Sequence, residues 1–330
     1  MRFRSNPTAE QRAALRAQLA RLRQPAAVLE ILHSSLPVDF QPARVTCVLQ
    51  SAHSDRFVML ARIRSNAGEE RAYALKAYAD DFGRQVWAHS QAIAARRQPD
   101  PDGLCLPSCH KPEQRMLVFP WVDGVFLSEI ADERKPPLLL RAAAVAADLH
   151  RLDIVPERLT TPHLLVEETR ARCDLLRDRW PETAQLVEPL MARLEEAVTL
   201  LDPPDPAPVH GDMGAGQFLW TGDRLVLLDL DMFGYADAAY DAGHFLAQLE
   251  RRCLSDRTPP TVECQWLTCF RDAYLAARPS ASPRNVSFYR GLTLVRKIYS
   301  VRQRQPTRWP GLVAQLGARA WAALEECHAA

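Results

Sequence analysis

Val209-His210-Gly211-Asp212-Met213-Gly214-Ala215-Gly216-Gln217, with Asp229-Leu230-Asp231 beginning twelve residues further on, is the stretch that decides how this chain reads. It sets one carboxylate beside a glycine turn, an amide carbonyl five residues later, and two more carboxylates at the end of an apolar run. Arg224-Leu225-Val226-Leu227-Leu228 is short and apolar, bounded by the turn signal Thr221-Gly222-Asp223 and by Asp229, and reads as a buried strand. Gln217-Phe218-Leu219-Trp220 reads as its antiparallel partner. In that hairpin Asp212 precedes the first strand and Asp229 closes the second, so both carboxylates can face one ion. Glycine use agrees: the chain has only 13 glycines, yet six lie between Gly211 and Gly243. An acceptor hydroxyl needs a base or orienter, and a divalent cation needs oxygen ligands on short, rigid supports. These side chains are the set that phosphoryl transfer from a metal-bound nucleotide requires.

The sequence resembles a known family at these residues. His-Gly-Asp, a carbonyl side chain five residues after the Asp, Leu228-Asp229-Leu230-Asp231 and Gly234-Tyr235-Ala236-Asp237-Ala238-Ala239-Tyr240-Asp241 are similar to the aminoglycoside phosphotransferase/choline kinase group. That group consists of small-molecule kinases with a protein-kinase-like fold. The resemblance implies an α+β, bilobal chain with a small N-terminal antiparallel-sheet lobe and a larger, mainly helical C-terminal lobe. It implies candidate catalytic residues Asp212, as base, and His210 in the same loop. It implies candidate magnesium ligands Gln217, Asp229 and Asp231, and a buttress for the loop in the Gly-x-x-Asp-x-x-x-Asp stretch, with Asp241 opening a helix. The family usually has Asn where this chain has Gln217; Gln keeps the amide oxygen and adds a methylene, which shifts its reach. The alternative is a chance tripeptide beside an ordinary hairpin.

The N-terminal half answers the same expectation. A kinase fold needs a lysine on its third strand to reach the nucleotide phosphates. Arg71-Ala72-Tyr73-Ala74-Leu75-Lys76-Ala77-Tyr78 puts Tyr73, Leu75 and Ala77 on one face and Lys76, with Ala74 and Tyr78, on the other. Residues 44–49 and 56–63 read as the two preceding strands. Lys76 is the candidate nucleotide ligand; the alternative is an exposed lysine on a strand edge. The loop at 50–55 holds no glycine, and Ser51 and Ser54 are its candidate phosphate donors. Residues 115–124 read as a strand running into a hinge, with adenine expected against backbone groups from Phe119 to Val122; an ordinary strand-to-loop transition reads the same. The helix after Lys76 carries no acidic residue between Asp81 and Asp100, where a partner for the lysine is expected. Pro136-Pro137 opens an Ala- and Leu-rich helix ending in Ala147-Asp148-Leu149-His150.

Composition bounds the rest. At 330 residues, 47% hydrophobic and 25% charged, the chain suits a globular enzyme of more than one core. We divide it into a helical appendage at 1–40, with Thr8 and Gln11 forming a capping box, a nucleotide-binding lobe at 41–120 and a catalytic and substrate lobe at 121–330. A net charge of +1 argues against a nucleic-acid surface. No apolar run reaches membrane-spanning length, and Met1-Arg2-Phe3-Arg4-Ser5-Asn6 lacks a signal-peptide core, so a cytoplasmic placement is expected. The eight cysteines are scattered and read as reduced thiols; Cys105-x-x-x-Cys109-His110 has no second pair to complete a zinc site.

The expected cofactors are ATP, or another nucleoside triphosphate, and magnesium, and the expected partner is a small molecule with a hydroxyl acceptor. The basic residues Arg290, Arg296, Lys297, Arg302 and Arg304 form either a wall for an anionic acceptor or a solvated helix face. Cationic acceptors call for acidic walls, so antibiotic resistance is not expected. The glycine-free loop and the missing acidic partner motivate a second reading, a nucleotide-binding pseudokinase acting as scaffold or sensor. A protein kinase is a weaker third, because no activation segment lies between Asp231 and Asp241.

Overall fold

The computed structural model describes residues 7–96, 102–304 and 309–329, so the N-terminal hexapeptide read above lies outside the described residues. These residues form two compact units, one built from 7–96 and 104–123, the other from 102–103 and the described residues after 123.

The first unit starts with α1 (Ala9–Arg21). Thr8 Oγ accepts from the Gln11 N–H at 3.1 Å and Gln11 Oε1 accepts from the Thr8 N–H at 2.8 Å, which completes the capping box. α2 (Pro25–Leu32) starts on a proline. β1 (Pro42–Ala52), β2 (Arg56–Ser65) and β3 (Glu70–Tyr78) form an antiparallel meander, followed by α3 (Phe82–Arg96). The chain continues through β4 (Gly103–Leu104), β5 (Cys109–Lys111) and β6 (Met116–Pro120). The five-stranded sheet of this unit runs β1-β2-β3-β6-β5.

The period-two pattern decides the sheet's faces. Phe57, Met59, Ala61 and Ile63 of β2 and Leu75 and Ala77 of β3 form one cluster with Leu15, Leu22, Val28, Ile31 and Leu32 from the N-terminal helical segment. Burying a side chain of this size contributes about 1.5–3 kcal/mol, so the helices are part of the sheet's core. Tyr78 and Leu117 lie in a second cluster with Val86 of α3.

The second unit is mainly helical. Its small strands are β7 (Val125–Phe126), β8 (Pro206–Val209), β9 (Phe218–Trp220), β10 (Leu225–Leu227) and β11 (Gly234–Asp237). β9 and β10 form the expected hairpin, with Leu227 opposite Phe218, and β8 pairs antiparallel with β11. The helices are α4 (Lys135–His150), α5 (Pro162–Arg179), α6 (Pro181–Ala197), α7 (Ala239–Asp256), α8 (Pro260–Ala277), α9 (Pro283–Arg304) and α10 (Trp309–Ala329). Several start on proline, whose fixed φ suits the first turn.

α7 is buried along most of its length and packs on α9. Their close approach needs Gly243: a Cβ there would lie 2.6 Å from Tyr289 Cβ and 2.6 Å from the Val286 carbonyl oxygen. No helix among the described residues is long and apolar enough to cross a membrane.

Candidate active site

The site in the second unit is assembled by the link between β8 and β9. Gly211 takes φ +82°, and a Cβ there would collide with the Met232 carbonyl, so glycine lets the 210–214 loop turn against the segment after Asp229. Residues Ala215–Gln217 form a 3-10 turn, in which the Gln217 N–H donates to the Gly214 carbonyl at 2.9 Å. The first strand therefore starts at Phe218, one residue later than the sequence pattern suggests. The Leu228 N–H donates to the Gln217 carbonyl at 2.8 Å, which brings Gln217 beside the end of β10, next to Asp229. Asp229 itself has φ +66°, a left-handed conformation rare for a residue with a side chain and common at functional turns. Its Oδ1 accepts from the Asp231 N–H at 3.3 Å. Asp231 is 8% exposed.

A cavity of about 200 Å³ is lined by Asp212, Gly214, Gln217 and Ser128, together with Gln248, Arg251 and Arg252 of α7. A neighbouring cavity of about 290 Å³ shares Ser128 and Arg252 and contains Lys135 and Trp266. Buried Lys135 donates to the Leu127 carbonyl, lies 5.1 Å from the Trp266 ring centroid, and is pushed down to about 8 by burial.

The support beneath the loop is a buried polar network. Asp241, fully buried in the first turn of α7, accepts the His210 N–H at 2.6 Å and the Gly211 N–H at 2.9 Å. His150 Nε2 lies 3.1 Å from the same carboxylate, and His150 Nδ1 lies 2.9 Å from the Tyr274 hydroxyl, which donates to the Ala238 carbonyl at 2.9 Å. Burial works to raise the Asp241 carboxyl, but the His150 hydrogen bond, the neighbouring histidine charges and the Gly211 N–H outweigh it and hold it below its ordinary value. Asp237 extends the network: it accepts from the Ala239 N–H at 3.1 Å and from Asn285 of α9 at 2.8 Å. His210 is fully buried, with Nε2 at 2.9 Å from the Leu228 carbonyl and Nδ1 at 3.3 Å from the Asp212 N–H. Those contacts tie the 210–212 turn to the end of β10.

The Asp212 side chain remains 47% exposed, with Oδ1 at 3.5 Å from His244 Nε2. Displacement of water by the surrounding protein raises its carboxyl, helped by the charges of Asp229 and Asp241 and opposed by Lys297 and His210. His244 is buried and held well below the usual imidazole range by burial first and by Lys297 second, so it stands neutral beside Asp212. Lys297, half-buried on α9, is pushed down to about 8 by burial, with Asp212 resisting the shift. The basic wall read from the sequence is mostly otherwise engaged. Arg290 pairs with Glu250 at 2.6 Å, Arg296 with Glu168 at 3.3 Å and Arg302 with Glu182 at 3.1 Å. Among the described residues no three His, Cys, Asp or Glu side chains gather as a metal-holding group, and the eight cysteines are free thiols.

In the first unit, Lys76 is 7% exposed on β3, opposite Val58 of β2 and Leu117 of β6. Its strand is interior to the sheet, so the edge alternative does not hold. Its ammonium lies 5.6 Å from the Tyr78 ring centroid. Ser51 is half-buried on β1 opposite Val58, and Ser54 is exposed in a turn closed by the His53 N–H on the Arg56 carbonyl at 2.8 Å. Phe119 and Val122 are half-buried at the end of β6, where the Trp121 N–H donates to the Ala72 carbonyl at 3.0 Å.

Comparison with known proteins agrees with this geometry. The family model of the phosphotransferase enzyme family (APH) matches residues 90–284. The chain belongs to this family and, as a class, is a small-molecule kinase of protein-kinase-like fold. Among solved structures, a choline/ethanolamine kinase family protein from Mesorhizobium loti is similar at 14% identity, covering 96% of this chain and 99% of its own, with a TM-score of 0.58. Choline kinase from Cryptosporidium parvum Iowa II is similar at 10% identity over 92% of this chain and 96% of its own, with a TM-score of 0.61. Aminoglycoside phosphotransferase APH(2'')-Ib, solved with ADP bound, is similar at 14% identity over 91% of this chain and 99% of its own, with a TM-score of 0.55. Among curated proteins none matches.

Proposed function

We propose that this chain transfers the terminal phosphoryl group of a nucleoside triphosphate to a hydroxyl of a small molecule, with Asp212 as base. The observation that carries the reading is the shared cavity: Asp212 and Gln217 line it together, and the hairpin sets Asp229 directly after the residue bonded to Gln217. A carboxylate half open to solvent and raised by its surroundings suits a group that accepts a proton. The acceptor oxygen forms a bond to the terminal phosphorus as the bond from that phosphorus to the bridging oxygen breaks. The hydroxyl proton passes to Asp212, and the nucleoside diphosphate leaves with the electron pair. His210 positions: both ring nitrogens are held inside the protein. Lys76 is assigned to the nucleotide phosphates, Ser51 and Ser54 to the loop above them, and the backbone from Phe119 to Val122 to the base. Similar solved structures hold ADP, AMP or GDP, which supports a nucleoside triphosphate as donor and leaves the base open.

The amide oxygen of Gln217 and the carboxylate of Asp229 are hard donors of the kind magnesium takes, so this pair fits the ion. Asp231, the third candidate ligand, lies buried two residues beyond Asp229, its N–H donating to Asp229 Oδ1 at 3.3 Å. When bound, magnesium neutralises phosphate oxygens and orients them. Asp212→Asn tests the reading. Transfer should fall by about 10²–10⁴-fold, the range of a lost general base, with nucleotide affinity kept within about twofold. Unchanged transfer removes Asp212 from the role.

One observation favours the scaffold reading: the 50–55 loop, expected over the phosphates, contains no glycine. MgATP binding without transfer to any hydroxyl compound would select it.

A further inference from the structure

The cavity that Asp212 lines carries cations from α7, with Lys297 of α9 close to Asp212. Arg251 of α7 lines the cavity with Asp212, and its guanidinium has one hydrogen-bond partner among the described residues, Gln248 Oε1 at 3.3 Å. Arg252, the other guanidinium of that lining, is committed to Asp256 at 2.6 Å. Lys297 stands on the neighbouring α9, close enough to Asp212 and Arg251 for each to move its charge equilibrium. Arg172 of α5 and Arg296 add to the same field, and Arg296 alone of these two has a carboxylate partner. Lys297 and Arg172 have no hydrogen-bond or ion-pair partner among the described residues.

Cations drawn together and away from water repel one another and lose hydration, so such a group is costly unless an anion completes it. The burial that lowers Lys297, Arg172 and Arg251 is the sign of that cost. A cationic acceptor would meet repulsion here, and a neutral one would leave the Arg251 guanidinium with Gln248 alone.

Resting on the phosphotransferase reading, we propose that the acceptor is itself an anion: a hydroxylated small molecule whose carboxylate or phosphate is held by Arg251 and Lys297 while its hydroxyl faces Asp212. Arg172 strengthens the field from α5. An arginine fork matches either oxyanion, and the lysine adds a point charge. Carboxylate and phosphate share this chemistry, and the test separates them.

The experiment is thermal unfolding of the whole chain with MgADP present, so that the nucleotide's own phosphate site is filled, against gluconate, glucose 6-phosphate, glucose and choline. At least one anionic probe should raise the midpoint by about 2 °C or more at saturating concentration, with glucose and choline near zero. A shift from gluconate alone assigns a carboxylate, and one from glucose 6-phosphate alone a phosphate. The Arg251→Met/Lys297→Met variant should lose the shift, and Lys297→Arg, which keeps the charge, should retain it. No shift from either anion, a shift from choline or glucose as large as theirs, or full retention in the double methionine variant would overturn the proposal. Absence of stabilisation by MgADP alone would instead count against the phosphotransferase reading, whatever the acceptor probes do.

Discussion

Replacing Asp241 by Asn puts the support of the 210–212 turn to the test. The carboxylate is fully buried and accepts two successive backbone N–H groups, at 2.6 and 2.9 Å, plus His150 Nε2 at 3.1 Å. Asparagine keeps the shape but offers one acceptor oxygen. Its amide N–H₂ must face either a backbone N–H or the imidazole. A hydrogen bond to a charged group contributes about 1.5–3 kcal/mol, and a buried donor left unpaired costs about 1–3 kcal/mol. We therefore expect a loss of about 3 kcal/mol, or about 6–12 °C in melting temperature at the two to four degrees per kcal/mol usual for a domain of this size. The His210-Gly211-Asp212 turn would shift with it, and a displacement of about 1 Å is enough to cost about 10²-fold in turnover.

The assays are thermal and urea unfolding followed by circular dichroism, with initial rates on the same preparations. Because the native carboxyl is held below its ordinary value, its stabilisation is fully present above the unfolded value and is lost as pH falls through the native one. The gap between wild type and Asp241→Asn should accordingly be complete at neutral pH and narrow in the acid range. In a His150→Ala background the same substitution should cost about 1 kcal/mol less, since the two side chains share one bond. A variant melting within about 1 °C of wild type would refute the reasoning, as would a gap that widens on acidification.

Two further predictions concern packing and charge. Gly243→Ala forces a methyl group to within 2.6 Å of Tyr289 Cβ and the Val286 carbonyl; overpacking of this kind costs about 1–3 kcal/mol, read as a lowered melting temperature, and an unchanged midpoint would mean α7 and α9 part freely. Lys297, faced by Asp212 from the catalytic loop, Arg251 from α7, Arg172 from α5 and Arg296 on its own helix, loses its proton as pH rises through about 8. The KM for an anionic acceptor should therefore climb above that pH in wild type and stay flat in Lys297→Arg, whose guanidinium remains charged; parallel curves would remove Lys297 from acceptor binding.

What could be read from sequence alone depended on how local the physics was. The β9–β10 hairpin, the side of β3 that carries Lys76 and the capping box at Thr8 follow from spacings of a few residues, so periodicity and turn chemistry were enough. The 3-10 turn at Ala215–Gln217 was missed because the Gln217–Gly214 hydrogen bond competes with the strand pattern over the same residues. The support beneath the loop was beyond reach in detail: His150, Asp241 and Tyr274 join across separations of 91 and 124 residues, and only the final Asp-Leu-His of α4 and the Asp opening α7 hinted at it. The basic run on α9 shows the same limit from the other side. Its arginines read as one wall because their partners Glu250, Glu168 and Glu182 come from three other helices. Once those pairs are removed, Lys297 is left with Asp212, Arg251 and Arg172 around it, and the three cations stand on three different helices that no single stretch of sequence unites. Their positions follow from the packing of α7 and α5 on α9, and Gly243 permits the first of these contacts. If Arg251 and Lys297 hold the acceptor and Asp212 is the base, as proposed, selectivity is tied to helix packing and chemistry to a hairpin. The two should then separate experimentally: substitutions at Arg251 or Lys297 should change which acceptor is held, and substitutions at Asp212 should change whether any acceptor reacts.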